Sequence, residues 1–231
     1  MLQFRRLMTE KIVQCIPNFS EGRRLQVVDE IAEAISAVPR AILLDRSSNA
    51  DHNRSVLTFA GPPAAVIAAA FAATLRASQL IDMTLHQGEH PRIGATDVIP
   101  FVPLEGTTME ECIHVARTLA KQVGTELRIP VFLYERAATQ PQRKNLAYVR
   151  RREYEGIRDN IASDPERVPD FGPRDVGTAG ATAIGARAPL IAFNIYLTTS
   201  DVEIARKIAR HIRYSSGGLR NVKALGMLVE G

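Results

Sequence analysis

Residues 41–63 read AILLDRSSNADHNRSVLTFAGPP, and this stretch decides the fold. The apolar run 41–44 predicts a strand, and the alternating residues 55–60 predict a second strand. A polar loop over 46–53 is expected between them. The Gly-Pro-Pro at 61–63 ends the pair and opens an Ala-rich helix over 63–80. Two consecutive strands in front of a helix indicate a hairpin-like pair within a mixed chain.

The flanking segments extend this order on both sides. Strands are predicted at 12–16, 98–102 and 130–134 and helices at 24–38 and 108–127, the last with Thr108 and Glu111 as a capping box. Strand, helix, strand, strand, helix, strand is the split β-α-β (ferredoxin-like) order. The predicted fold class is therefore α/β in the α+β sense, with one face of the sheet left to be covered.

The remaining segments predict a second, smaller module. Residues 137–158 are helix-rich and basic, and 165–185 are irregular. A strand at 189–197, a helix at 200–213 capped by Ser200 and a strand at 222–229 follow. We expect an N-terminal extension at 1–10, a first subdomain at 11–180 and a partial second subdomain at 181–231.

Composition narrows the class of protein. The 231 residues are 45% hydrophobic and 23% charged, with a net charge of +4, which is typical of a folded domain. The sequence predicts no membrane span and no secretory signal. Cys15 and Cys112 lack metal-ligand spacing and are expected to be buried thiols of a cytoplasmic protein.

The basic residues leave three interpretations open. They are densest at Arg143, Lys144 and 150–152, a cluster flanked by acidic residues. It could be a solvated helix face, a nucleic-acid surface or a site for a polyanionic small molecule. No nucleic-acid-binding motif accompanies the charge, so we expect no nucleic acid.

The stretch 82–96 is too rich in specific polar residues for a linker. It contains His86 and His90, but Gly88 and Pro91 oppose the helix that would make this pair a metal site. Pro91 holds His90 extended, and a histidine is the usual general base near neutral pH. On residue chemistry alone, a structural histidine remains the alternative.

Two other loops carry functional residue types. The loop 51–54 is either turn chemistry or a substrate-contacting segment near Asp45. The loop 172–180 is glycine-rich without being a nucleotide-binding motif, and its glycines would let the backbone approach a ligand.

Together, several blocks resemble the transferase module of the glutamate formimidoyltransferase family, which is fused to a cyclodeaminase in animals. They include Cys15-Ile-Pro-Asn-Phe-Ser-Glu-Gly22, His86-Gln-Gly-Glu-His-Pro-Arg92, Pro169-Asp-Phe-Gly-Pro173 and Gly185-Ala-Arg-Ala-Pro-Leu-Ile-Ala-Phe-Asn194. Taken singly, only Gly-Glu-His-Pro-Arg and Pro-Asp-Phe-Gly-Pro are specific. The resemblance covers the chain from about residue 11 onward. It implies two ferredoxin-like subdomains whose sheets face each other with helices outside, and a tunnel for tetrahydrofolate between them.

The resemblance also implies the reaction and its residues. The formimino group would move from N-formimidoyl-L-glutamate to N5 of tetrahydrofolate, the co-substrate, with His90 as the catalytic base and no metal. The folate-contacting loop corresponds to Gly172, Pro173, Arg174, Asp175, Val176, Gly177, Thr178, Ala179 and Gly180, in a shorter form. We expect Asp45 to hold the cationic amidine, and Arg54, Arg92 and Arg187 to bind substrate carboxylates.

The family's module continues beyond residue 231, so the second subdomain is expected to be incomplete or completed by another chain. An exposed strand edge would favour a homodimer. Two other functions stay open: a 5-formyltetrahydrofolate cyclo-ligase-like activity, and a non-catalytic folate-binding remnant.

Overall fold

The computed structural model describes residues 10–191 and 194–228. It divides into two compact units, 1–189 and 190–231. The first unit contains a seven-stranded mixed sheet, so the α+β class is confirmed. The expected extension at 1–10 lies outside the described residues except for Glu10.

The strands and helices have the following bounds. The strands are β1 (Val13–Cys15), β2 (Asn18–Phe19), β3 (Ile42–Asn49), β4 (Arg54–Gly61), β5 (Thr96–Pro103), β6 (Val131–Glu135) and β7 (Thr182–Ala186). The helices are α1 (Leu25–Ser36), α2 (Pro63–Leu80), α3 (Met109–Glu126), α4 (Leu146–Val149), α5 (Glu153–Asn160) and α6 (Val202–Ile212). Thr108 and Glu111 form the predicted capping box at the start of α3.

From one edge to the other, the sheet consists of β3, β4, a position shared by β1 and β2, then β5, β7 and β6. β1 and β2 share the position between β4 and β5 and are antiparallel to both. The strands from β3 to β5 thus have the antiparallel ferredoxin-like order that the sequence predicts. β7 and β6 extend this sheet by parallel pairing beyond β5.

The two faces of the sheet are covered differently. Helices α1, α2 and α3 bury one face, with Leu57, Phe59 and Phe101 in the shared core. By length and composition alone α2 could cross a membrane, but it packs against this core. On the second face, α4 and α5 cover β5, β7 and β6. Among residues 10–189, no helix covers that face over β3, β4 and β2, so it is open in this part of the chain.

Two sequence-based boundaries are corrected by the structure. The strand expected to end at Asp45 continues to Asn49, because β4 supplies hydrogen-bonding partners along its whole length. Residues 165–185 were expected to be irregular, but β7 begins within them. It is buried along its length and rich in Ala and Gly, so it lacks the β-branched signal of a strand. The first compact unit ends at Pro189.

The tail 190–228 contains less strand than expected. Residues 189–191, 194–197 and 222–228 form no strand, while 192–193 and 229 lie outside the described residues. A strand needs a hydrogen-bonding partner, and these described residues have no β-pairing; the one isolated bridge in the described part of the tail joins Arg213 and Leu219. α6 is present, with Asp201 as its N-cap instead of Ser200. The assignment of 181–231 to a partial second subdomain stays a prediction.

Candidate functional site

The open face of the sheet carries the candidate site. Leu57 and Phe59 of β4 point into the core, so Arg54, Val56 and Thr58 lie on the opposite, open face. Residues paired across strands share a face, which places Asp45 beside Thr58 on the open side. Asp45 therefore shares a face with Arg54, four residues away along β4, or about 14 Å.

His90 lies at the Arg54 end of this face. Nη1 of Arg54 is 2.5 Å from Nε2 of His90. A guanidinium only donates hydrogen bonds, so Nε2 is assigned as the acceptor and the neutral ring carries its proton on Nδ1. The His52 ring lies nearby, with a centroid separation of 6.1 Å.

The surroundings of His90 disfavour its charged form. Burial is the largest cause, followed by the charges of Arg54, Arg150 and His52, and together they lower the pKa of His90 to about 3. The ring's hydrogen bond with the Pro91 backbone acts in the opposite direction. In this state, His90 is neutral at physiological pH and is a weak base.

Asn53 holds the His86–His90 segment in place. Its Oδ1 accepts from the Gly22 N–H at 3.0 Å, and its Nδ2 donates to the Gln87 carbonyl at 2.9 Å. Its backbone oxygen is 3.1 Å from Nε2 of His86. Asn53 has a left-handed backbone, with φ of 44°, which Asn adopts more readily than most residues. A Cβ on Gly88 would lie 2.5 Å from the His52 carbonyl oxygen, so the segment packs too closely for a larger residue.

Arg92 supports the same segment from the other side. It is only 8% exposed, and its guanidinium pairs with Glu153 and Glu155 at 2.6 and 2.7 Å. Its Nε donates to Nδ1 of His86 at 3.3 Å. A shallow cleft of about 500 Å³ opens beside these groups, and His90 does not line it. The arrangement favours a structural role for Arg92 over the predicted binding of a substrate carboxylate.

A buried ion pair lies next to Arg54. Arg150 contacts both carboxylate oxygens of Asp97, which is 1% exposed and also accepts from the Ile93 N–H. Burial and the Arg150 charge lower the pKa of Arg54, while Asp97 opposes this. Arg150 and Asp97 were not predicted as site residues. The only signal for Arg150 was its membership of the basic cluster at 143–152.

Arg187 lies toward the opposite end of the sheet from Arg54. It follows Ala186, which pairs with Phe101 of β5, and Phe101 is level with Phe59 of β4 across β1. Its backbone N–H donates to the Phe101 carbonyl at 2.9 Å, and its Nη1 donates to the Ala188 carbonyl at 3.1 Å. Burial raises the pKa of Tyr134, whereas the positive charges of Arg187 and Arg150 lower it. Of the site residues predicted from the sequence, the structure brings His90 and Arg54 into contact, whereas Asp45 and Arg187 lie farther toward the other end of the sheet.

The glycine-rich loop 172–180 contacts the chain on both sides of the His86–Arg92 stretch. The Thr178 carbonyl accepts from the Met83 N–H and the Ala179 carbonyl from the Ala95 N–H, both at 2.8 Å. A Cβ on Gly180 would lie 2.5 Å from the Ile93 carbonyl oxygen, so this glycine allows close approach of the chain to itself. Gly177 has open space around it. Contacts of this loop with folate stay a prediction.

Metal ligands are not grouped in the described ranges, 10–191 and 194–228. No set of three or more His, Cys, Asp or Glu side chains there could hold a metal ion. Cys15 and Cys112 are free and buried, as expected. Burial raises the pKa of both thiols.

The fold and site define an α+β domain that presents a neutral histidine and surplus guanidinium charge on an open sheet face, a site suited to an anionic small molecule. Residues 12–187 match the family model of the formiminotransferase domain, N-terminal subdomain. The chain belongs to this family, as its motifs predicted.

Individual relatives agree with the family. The chain is 48% identical over 221 residues to the glutamate formimidoyltransferase of Streptococcus pyogenes, an alignment covering 95% of this chain and 74% of that protein. It is 49% identical over 221 residues to the enzyme of the same name from Thermoplasma acidophilum, covering 95% and 73%. It is 44% identical over 227 residues to the formimidoyltransferase-cyclodeaminase of Rattus norvegicus, covering 95% of this chain and 42% of that protein.

Proposed function

We propose that the chain is a glutamate formimidoyltransferase that moves the formimino group from N-formimidoyl-L-glutamate to N5 of tetrahydrofolate. The observation that carries this proposal is the contact between His90 and Arg54 on the open face of a formiminotransferase-family domain. It combines a proton acceptor with a cation suited to a carboxylate, and the donor substrate needs both groups.

The reaction requires two proton transfers. N5 of tetrahydrofolate attacks the amidine carbon and loses a proton as the tetrahedral intermediate forms. The departing glutamate nitrogen must then gain a proton. A neutral His90 can accept the first proton at Nε2 and return it to the leaving nitrogen. Asp45, exposed on the same face, is our candidate for the cationic amidine, and Arg54 with Arg187 for the carboxylates.

Other assignments are part of the same proposal. We infer that loop 172–180 contacts folate, that tetrahydrofolate acts as a co-substrate and that the reaction needs no metal. The buried thiols support a cytoplasmic location. Facing sheets and a homodimer stay predictions from the family resemblance.

A product assay tests the function. Purified chain is incubated with N-formimidoyl-L-glutamate and tetrahydrofolate, and release of glutamate and formation of 5-formimino- or 5,10-methenyltetrahydrofolate are followed. A parallel reaction contains ATP and 5-formyltetrahydrofolate. We expect product only in the first reaction. Product only in the second would support the cyclo-ligase-like activity, and no product in either would support the folate-binding remnant.

Variants at two histidines test the catalytic residue. His90→Gln should lower kcat by about 10²- to 10⁴-fold, the usual contribution of a positioned acid–base group. His114→Gln is the matched control, because His114 is exposed on α3, on the other side of the sheet. Unchanged transfer by His90→Gln would remove His90 from the mechanism. Binding of tetrahydrofolate by His90→Gln should persist.

A further inference from the structure

The structure leaves the proposed base blocked. The lone pair of His90 Nε2 accepts a hydrogen bond from Arg54 at 2.5 Å, so this nitrogen has no free lone pair for a proton. The other ring nitrogen already carries the proton of the neutral tautomer. For His90 to act as a base, the Arg54 guanidinium must first move to another acceptor.

The charges around Arg54 show what that acceptor would be. Arg54 and Arg150 bring two positive charges, and Asp97 brings one negative charge that Arg150 already engages at both oxygens. Across residues 10–191 and 194–228, Arg54 has no ion pair and no side-chain hydrogen bond other than that to His90. The cluster therefore has a surplus positive charge in a half-buried setting. A carboxylate is the stronger acceptor for a guanidinium, since charge-assisted hydrogen bonds are about twice as strong as neutral ones.

We propose that Arg54 and Arg150 form a carboxylate site, and that a substrate carboxylate bound there draws Arg54 away from Nε2 of His90 and frees that nitrogen as the base. Arg54 is thus a positioning residue that links donor binding to base activation. This inference rests on the proposed function for the identity of the substrate, a glutamate derivative. It can be tested without turnover, because it concerns only carboxylate binding and the protonation of the His90 ring.

Binding of a carboxylate should raise the pKa of His90. Without a carboxylate, burial and the charges of Arg54, Arg150 and His52 hold the pKa of His90 at about 3. A bound carboxylate neutralises the nearest of these charges and adds a negative one. An opposite charge within a few ångströms raises a histidine pKa by about 1 to 3 pH units. The bound state then has a base closer to neutrality, where general-base catalysis is most efficient.

The test is an NMR titration of the full chain labelled with ¹³C-histidine. The His90 signal is assigned by its loss in His90→Gln, and its pKa is measured with and without saturating L-glutamate, a non-reacting probe with two carboxylates. We expect a rise of about 2 pH units. Because the His52 ring is 6.1 Å away, the titration is repeated in His52→Asn, where the rise should remain.

Variants of Arg54 test whether its guanidinium lowers the His90 pKa and mediates the effect of glutamate. Arg54→Met should raise the His90 pKa in the absence of glutamate and abolish the further rise on adding it. Arg54→Lys, which keeps the charge, should retain a low pKa but bind glutamate more weakly. Arg46→Met is the control, because Arg46 is on β3 but pairs with Asp29 of α1. It should leave both measurements unchanged.

Two results would overturn the inference. One is saturable glutamate binding with no change in the His90 pKa. The other is an Arg54→Met variant with the same His90 titration as the unaltered chain. These results are separate from a failure of the proposed function, since a chain without transferase activity could still show the glutamate-linked titration.

Discussion

Replacing Asn53 with Ala should lower the free energy of unfolding by about 3 kcal/mol. The side chain makes two hydrogen bonds, to the buried Gly22 N–H at 3.0 Å and the Gln87 carbonyl at 2.9 Å. Each contributes about 1 kcal/mol net. The left-handed backbone, with φ of 44°, costs Ala about 1 kcal/mol more. Because the same bonds hold the segment that contains His90, transferase activity should fall with stability.

Urea unfolding followed by far-UV circular dichroism measures the change. Asn53→Asp should lose less, since it keeps the acceptor for Gly22 N–H and tolerates the left-handed conformation. Asn49→Ala is the matched control: its Oδ1 accepts from the His52 N–H at 2.8 Å, but the residue is exposed, so the loss should be about 0.5 kcal/mol. A loss for Asn53→Ala no larger than that of Asn49→Ala would refute the reasoning.

Three further changes test other parts of the first unit. Gly94→Ala places a Cβ 2.1 Å from a backbone oxygen and should prevent stable folding, whereas Gly177→Ala, with open space around it, should leave the melting temperature unchanged. Arg143→Met removes the ion-pair partner of the Asp170 carboxylate, whose side chain is 8% exposed. It should lower the free energy of unfolding in urea by about 3 to 5 kcal/mol. A decrease under about 1 kcal/mol would contradict this. The pKa of His90 is about 3 in the fold against 6.5 for the free side chain, so proton uptake favours the unfolded chain and stability is lost as pH falls from about 6.5 towards 3. His90→Asn should flatten the stability profile in that window, and an identical profile would show that the histidine is not held neutral.

The antiparallel half of the sheet was predictable because its signals are local. The helix at 24–38 shows its apolar stripe, and the capping box at Thr108 fixes the start of α3. The loop-rich His86–Arg92 stretch was singled out by residues that neither a helix nor a linker requires. Its contact with Arg54 was not predicted. The predicted topology placed the loop 51–54 near Asp45, but Asp45 pairs with Thr58, four residues along β4 from Arg54.

The parallel half of the sheet and the partners of the site arginines could not be predicted, because they depend on contacts between residues distant in sequence. β7 is five small or apolar residues, buried on both faces, and only its place between β5 and β6 makes it a strand. The role of Arg150 was equally hidden, since a cluster of basic residues does not show which one meets Asp97. Arg92, in turn, was expected to bind substrate. Its guanidinium instead donates hydrogen bonds to Glu153 and Glu155, which lie more than 60 positions along the chain.

The place of β7 has a consequence for synthesis on the ribosome. β5 and β6 are made first, yet neither can pair with the other until residues 182–186 emerge and insert between them. Until then the nascent chain presents two unpaired apolar edges, which are templates for association with other chains. A fragment ending at residue 180 should therefore precipitate or recruit chaperones, whereas one ending at 189 should fold to a soluble unit. Equal solubility of the two fragments would show that the sheet can close without its penultimate strand.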